Sequence, residues 1–163
     1  MSVTLRRATL RDRASVLAFQ RALYLEHRAS VMPEGLHVLY AYRRFEEVLQ
    51  EDVTAMLRGQ SEVLLAEDGE GPIGYVTGFV ERDPRRVLSR RGIIGDWYVV
   101  PEARGRGIGR RLIDALVARF EAQGCAVLEM ATWPFNTNTR RAIESMGFQE
   151  VQITYRRALG EDL

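Results

Sequence analysis

Lysine is absent from this 163-residue chain: all 23 basic residues are arginine. That excludes a lysine Schiff base and any phosphate loop built on Gly-Lys-Ser/Thr. Cationic help in a site must come from guanidinium forks instead. Cysteine occurs once, at Cys125, so neither an internal disulfide nor a cysteine-based metal cluster can form. Its place between Gly124 and the apolar AVLEM stretch fits a buried, inert thiol better than a nucleophile. The two histidines, His27 and His37, lack metal-ligand spacing, and no metal site is expected. A packed or solvent-facing role suits them best, with a place on a pocket wall the alternative. No apolar run reaches membrane-spanning length, and no charged-then-apolar leader precedes Val3. The expectation is a cytoplasmic chain without a membrane partner. A net charge of +1 gives no general case for nucleic-acid binding.

What is present suits a folded domain: 46% of residues are hydrophobic and 28% charged. One domain over residues 1–163 is expected, large enough to bury a sizeable core. Residues 3–8 alternate as a short strand, and Thr9 or Asp12 can cap the helix that follows. Pro33 and Gly35 break that helix within residues 29–36. A second helical region over 42–57 places Phe45, Val48, Leu49, Val53 and Leu57 on one face. Strands at 62–67 and 73–81 flank the turn DGEG, a hairpin signal. Residues 82–91 read as an exposed basic connector, and 93–100 as a third strand.

From there the order changes character. A helix over 107–123 carries an apolar stripe of Ile108, Leu112, Ile113, Leu116, Val117 and Phe120. A strand at 126–132, a short helix at 137–146 ending at Gly147, and a last strand or pair of strands at 148–159 follow. Antiparallel strands first, then a strand-helix-strand parallel crossover, make an α/β domain of mixed sheet.

The stretch WYVVPEARGRGIGRRLIDAL carries the clearest chemistry. A strand that turns into a helix exposes N–H groups without intrahelical partners, and the helix dipole favours an anion there. Gly105, Gly107 and Gly109 let that backbone approach a ligand closely. Arg104, Arg106, Arg110 and Arg111 add charge, of which only part is expected to face the ligand. GRGIG offers part of a dinucleotide-binding pattern but lacks its acidic ribose ligand, Glu129 being the nearest candidate. The antiparallel strands upstream also argue against that fold.

Arg104-x-x-Gly107-x-Gly109 resembles the Arg/Gln-x-x-Gly-x-Gly/Ala signature of the GNAT superfamily of N-acetyltransferases. WYVVPEARGRGIG looks like that family's apolar strand, proline turn and pyrophosphate loop in one piece. VTLRRATLRDRASVLAF looks like its opening strand and first helix. NTNTRRAIESMGF resembles its late helix, with Asn136 eleven residues before Gly147. The resemblance implies a mixed, mostly antiparallel twisted sheet, splayed at a central parallel strand pair and flanked by about four helices. It implies transfer of an acetyl group from acetyl-CoA to a small or peptide primary amine by direct attack in a ternary complex. By the same resemblance, Val99 and Val100 pair with the pantetheine arm. Amides of Arg104, Gly105, Arg106, Gly107, Ile108, Gly109 and Arg110 hold the pyrophosphate. Asn136 hydrogen-bonds the pantetheine, and an N–H near Tyr98 or Val99 polarises the thioester carbonyl.

Two departures concern the catalytic groups. Family members often carry a tyrosine where this chain has Ile143, which has no proton to give. Some carry a glutamate where this chain has Gly95. Asp96 is the nearest carboxylate and shares a strand face with Tyr98 and Val100. It either accepts the amine's proton through water, or caps the strand or pairs with an arginine. Glu34 is a second candidate for holding a cationic substrate. Acceptor specificity is expected from residues 29–42, 82–91 and 133–135, although Trp133 and Phe135 equally suit packing beneath the late helix. Residues 32–42 suit a lid or a homodimer contact. The competing function is a CoA-binding module with weak or no transferase activity.

Overall fold

The structure is a computed structural model describing residues 2–160. Its centre is the hairpin signalled by DGEG, in which β2 (Glu62–Asp68) and β3 (Gly71–Arg82) pair antiparallel. Val63, Leu64, Leu65 and Ala66 are all buried, so β2 is covered on both faces and reads as a continuous apolar run. β1 (Thr4–Arg7) pairs with the outer side of β2, and β4 (Arg90–Val99) runs antiparallel along β3. β5 (Val127–Met130) joins β4 in parallel and completes a five-stranded sheet of order β1-β2-β3-β4-β5.

Each face has its own core. α1 (Arg13–Glu26) and α2 (Phe45–Arg58) cover one side, packing Val16, Phe19 and Val53 on Tyr75 and Tyr98. α3 (Ile108–Ala122) covers the other, with Leu112, Leu116 and Phe120 fully buried against Leu64, Val76 and Ile94. α4 (Thr137–Ser145) follows β5. The predicted cap of α1 takes the form of a reciprocal box in a leading 3₁₀ turn, where the Thr9 amide donates to Asp12 at 2.8 Å. Arg6 also grips Asp12 and, as the main cause, holds its carboxyl down at about 2. All ion pairs among the described residues are arginine–carboxylate pairs. None of the described helices is long and apolar enough to cross a membrane.

The break falls at Pro33 as expected, with α1 running on through a π-helical turn, His27–Val31. One expectation fails: residues 148–159 form no strand. Their alternation is real, yet Val151, Ile153 and Tyr155 are 87%, 63% and 88% exposed. A strand needs a ladder partner and an apolar layer to face, and this segment meets neither. It is tied down by Arg140 to Glu150 and by Arg156 over the Tyr40 ring. The parallel pair β4–β5 therefore lies at the sheet's edge rather than its centre.

Candidate active site

β4 outlasts its parallel partner. The two pair only from Arg91 to Ile94, against Val127 to Met130. Beyond that point, Gly95 to Val99 face a gap where a further strand could lie. Backbone direction along the gap follows from antiparallel alternation. The Val100 N–H goes to Ile73 O at 2.9 Å and its carbonyl accepts from Ala103, so both groups are engaged within the fold. The Val99 amide therefore turns away from β3, toward the gap. The Val99 carbonyl accepts a hydrogen bond from Arg104 Nε at 2.8 Å.

After the 3₁₀ turn Pro101–Ala103, the chain reverses through Gly105 and Gly107, at φ 75° and 74°. These left-handed conformations place the head of α3 beside the gap. That helix has no side-chain cap, and its first return bond runs from Arg111 N to Gly107 O. The amides of Ile108, Gly109 and Arg110 thus lack intrahelical partners. The indole of Trp97 donates to Gly109 O at 3.0 Å, and a Cβ on Gly109 would stand 3.0 Å from that nitrogen. Helix and strand approach each other this closely only because residue 109 has no side chain.

The four arginines separate in space. Arg104 turns to α1, where it ion-pairs Glu26 at 2.7 Å and lies over the Tyr98 ring. Its amide points to Pro101 O at 3.3 Å. Arg110 pairs with Asp114, and Arg111 donates to Val3 O. Arg106 is exposed, with no ion-pair partner among the described residues.

Asp96 has neutral partners rather than an arginine. Tyr75 Oη and Gln20 Nε2 both donate to its Oδ2, at 3.0 and 3.2 Å, while its amide donates to Thr77 Oγ1 at 2.8 Å. Burial pushes the carboxyl up from the ordinary aspartate range, opposed by those two hydrogen bonds. Burial, with Asp96 nearby, also raises the Tyr75 phenol well above its usual value. Gly95 cannot host the carboxylate instead, because a Cβ there would meet Thr77 Oγ1 at 2.7 Å.

Asp96, Gly95 and Trp97 form one wall of a cavity of about 670 Å³ that reaches across the gap to the end of β5 and to Asn136. The Asn136 amide oxygen caps α4 by accepting from Thr139 N at 3.4 Å. Tyr24, Tyr40, Tyr42, Phe45 and Trp133 line the other side. The lid-like stretch thus reaches the cavity through Tyr40 and Tyr42. Trp133 faces the cavity, with Phe135 stacked behind it at 6.3 Å. Residues 82–91 take no part in the walls, and Glu34 is exposed away from them. Ile143 is buried in α4 and also lies outside the lining.

The sequence reading missed Gln20, Asp52 and Arg156 and gave His27 the lesser chance of lining a pocket; all four line the cavity. Helical spacing held part of the signal: Gln20, Leu23, Tyr24 and His27 follow one face of α1. Burial lowers the His27 pKa, with Glu26 and Asp96 pulling the other way. Cys125 is partly buried and its pKa is raised by burial, as an inert thiol requires. No group of three His, Cys, Asp or Glu residues among those described could hold a metal ion.

Comparison with known proteins places this geometry. The acetyltransferase (GNAT) family model matches residues 21–148. Aminoglycoside N(6')-acetyltransferase type 1 of Salmonella typhimurium is 29% identical over 116 residues, covering 69% of this chain and 75% of that protein. N-alpha-acetyltransferase 30 of Saccharomyces cerevisiae is 29% identical over 90 residues, or 55% of this chain; the match spans half of the yeast protein. In structure, the tetramutant of a Bacillus halodurans protein aligns with TM-score 0.79 at 20% identity, covering 96% of this chain and 99% of that one. The AAC(6')-Iy aminoglycoside enzyme, bound to a CoA-containing bisubstrate analogue, aligns with TM-score 0.73 at 18% identity, covering 98% and 100%. With the family model matched over residues 21–148, the chain belongs to the acetyltransferase (GNAT) family.

Proposed function

We propose that this protein, as one domain, moves an acetyl group from acetyl-CoA to the primary amine of a small molecule or peptide, by direct attack in a ternary complex. The observation that carries the proposal is Asp96, a carboxylate on the wall of the same cavity that opens onto the β4–β5 gap. The donor site fits the residues present. Uncapped amides of Ile108, Gly109 and Arg110, with those of Gly105, Arg106 and Gly107, offer a pyrophosphate nest. The free edge of β4 and Asn136 offer hydrogen bonds along the pantetheine arm.

Bound acetyl-CoA supplies the activated acyl thioester. The chain's own residues orient and ease the transfer. Alternation along β4 favours the Val99 N–H as the donor to the developing oxyanion, with Tyr98 directed toward β3. Val100 leaves the pantetheine contact to Val99, since its own backbone groups are taken. Arg104 fixes the Val99 carbonyl and ties β4 to α1 through Glu26. Asp96 takes the amine's proton, its raised pKa bringing it nearer to the working range of a general base. With Ile143 buried and apolar, no side chain from that position protonates the leaving sulfur, and the thiolate takes its proton from solvent.

The test is thiol release from acetyl-CoA with a panel of amines, beside a thermal-shift titration. CoA at a hundred times its dissociation constant should stabilise the fold by ~2.7 kcal/mol. Stabilisation without turnover on any amine would favour the CoA-binding module, the reading that the apolar Ile143 supports. No stabilisation would refute both. A cytoplasmic setting and a homodimer complete the proposal. The dimer rests on the exposed apolar side chains of Val151, Ile153 and Tyr155, which are not in a strand, and on the outer edge of β5, which has no ladder partner among the described residues.

A further inference from the structure

The cavity's walls say what kind of amine they suit. Trp133 lines it, while Trp97 borders it with its indole anchored to α3 at Gly109. Tyr40 meets Trp133 edge-on at 4.2 Å between ring centroids, and Tyr24 stacks on Phe45 at 4.2 Å. The first pair makes an angled aromatic corner and the second a stacked one, both apolar. Asp52 and Asp96 are the acidic groups on the walls and Arg156 the cationic one, while burial holds His27 toward its neutral form. A polycation such as an aminoglycoside or a polyamine brings several charges to desolvate, and this lining holds one carboxylate more than its cationic groups, which matches a single ammonium.

One polar atom in the wall lacks a partner. Gln20 uses its Nε2 to donate to Asp96, while its Oε1 is buried without any hydrogen bond among the described residues. A buried acceptor left alone costs about 1–3 kcal/mol. That oxygen is closed off from the free space of the cavity, so a ligand N–H arriving beside Asp96 satisfies it once the Gln20 side chain turns.

We propose, on the acetyl-transfer reading of this cavity, that the acceptor is an arylalkylamine. Its ring lies against the paired aromatic walls, and its amine donates an N–H to Gln20 Oε1 beside Asp96. Gln20 thereby fixes the nitrogen with its remaining hydrogen toward Asp96 and its lone pair free for the acyl carbon. The amine enters as an ammonium and passes one proton to the Asp96 carboxylate. The lone pair then forms the N–C bond as the C–S bond breaks, with the bonding pair leaving on sulfur. The second proton lost from nitrogen goes to water, and solvent protonates the thiolate.

The test uses the full chain saturated with CoA, which holds the contact of the Trp97 indole with Gly109 constant, and follows the tryptophan emission to which Trp133 on the cavity wall contributes. Phenethylamine should shift the emission saturably, and spermidine and kanamycin should need at least tenfold higher concentration. With acetyl-CoA, kcat/KM should be at least tenfold higher for phenethylamine than for spermidine, kanamycin or an unblocked hexapeptide. A preference for any of those three overturns the inference while leaving acetyl transfer standing. Turnover of none, with no emission change, overturns both. Gln20→Leu should raise KM for phenethylamine at least tenfold and leave CoA affinity intact, and because it removes the donor to Asp96 together with the orphaned acceptor, the acid limb of its rate should move up in pH. An unchanged KM in Gln20→Leu removes Gln20 from the acceptor site, and Gln20→Asn serves as the conservative control.

Discussion

Gly107 and Gly124 bracket α3, one at its head and one just past its end, and both are left-handed, at φ 74° and 78°. A Cβ at 107 would meet nothing within 4 Å, and one at 124 would meet Arg90 at an ordinary 3.6 Å. Neither alanine clashes, so each variant isolates the backbone term. An L-residue in that region costs roughly 1–2 kcal/mol, and that strain outweighs the smaller gain of a stiffer unfolded chain. Each should lower Tm by about 2–4 °C per kcal/mol at this chain length. The variants should part company on ligand binding. Gly107→Ala strains the turn that aims the free amides of Ile108, Gly109 and Arg110, so CoA should bind about tenfold more weakly, or ~1.4 kcal/mol. Gly124→Ala should leave CoA affinity at the wild-type value. Calorimetric melting with CoA titration on both proteins gives the answer. Equal losses of affinity, or a Gly107→Ala protein that melts no lower than wild type, would refute the reasoning.

Other expectations follow from the same geometry. Asp96→Asn should lower kcat/KM by ~10²–10⁴-fold at neutral pH with CoA affinity unchanged. The wild-type rate should fall on the acid side at a pH above the ordinary aspartate value, since burial raises that carboxyl, and the variant should lose this limb. Gly95→Ala should cost about 1–3 kcal/mol by pressing on Thr77 Oγ1, and Thr77→Ala in the same chain should recover part of it; simple additivity in urea melts would count against the contact. His27 is held below its ordinary 6.5 by burial, so the unfolded chain binds its proton first. Its contribution to stability is therefore complete above 6.5 and drains as pH falls through the window beneath; His27→Gln should flatten that slope in pH-dependent melts. Light scattering should show a dimer that Ile153→Asp and Tyr155→Asp together convert to a monomer.

Local signals survived well where one rule decided the structure. The strand-turn-helix around Gly107 needs left-handed glycines and an uncapped helix start, and both are written within a few adjacent residues. The box between Thr9 and Asp12 and the hairpin at DGEG are equally local. The acceptor side was harder because its residues converge from distant segments. Gln20 and Asp96 are 76 residues apart in the chain, yet share a hydrogen bond. Only the register of β3 on β4, with its irregularity between Val76 and Gly78, turns Thr77 and Tyr75 to meet Asp96. Residues 148–159 misled for the opposite reason. Their period-two pattern is local and genuine, but strand formation depends on a neighbour that alternation alone does not supply.

The arginine-only electrostatics of the fold carry one more consequence. A guanidinium stays protonated and is a poor nucleophile toward a thioester, whereas an ε-amine near a bound acyl donor is an acceptor in waiting. Arg6, Arg104 and Arg119 hold their carboxylates without presenting a side-chain amine to the donor. The protein can concentrate a reactive acyl thioester beside its own surface, and no ion pair that braces the fold can be neutralised by lysine acetylation.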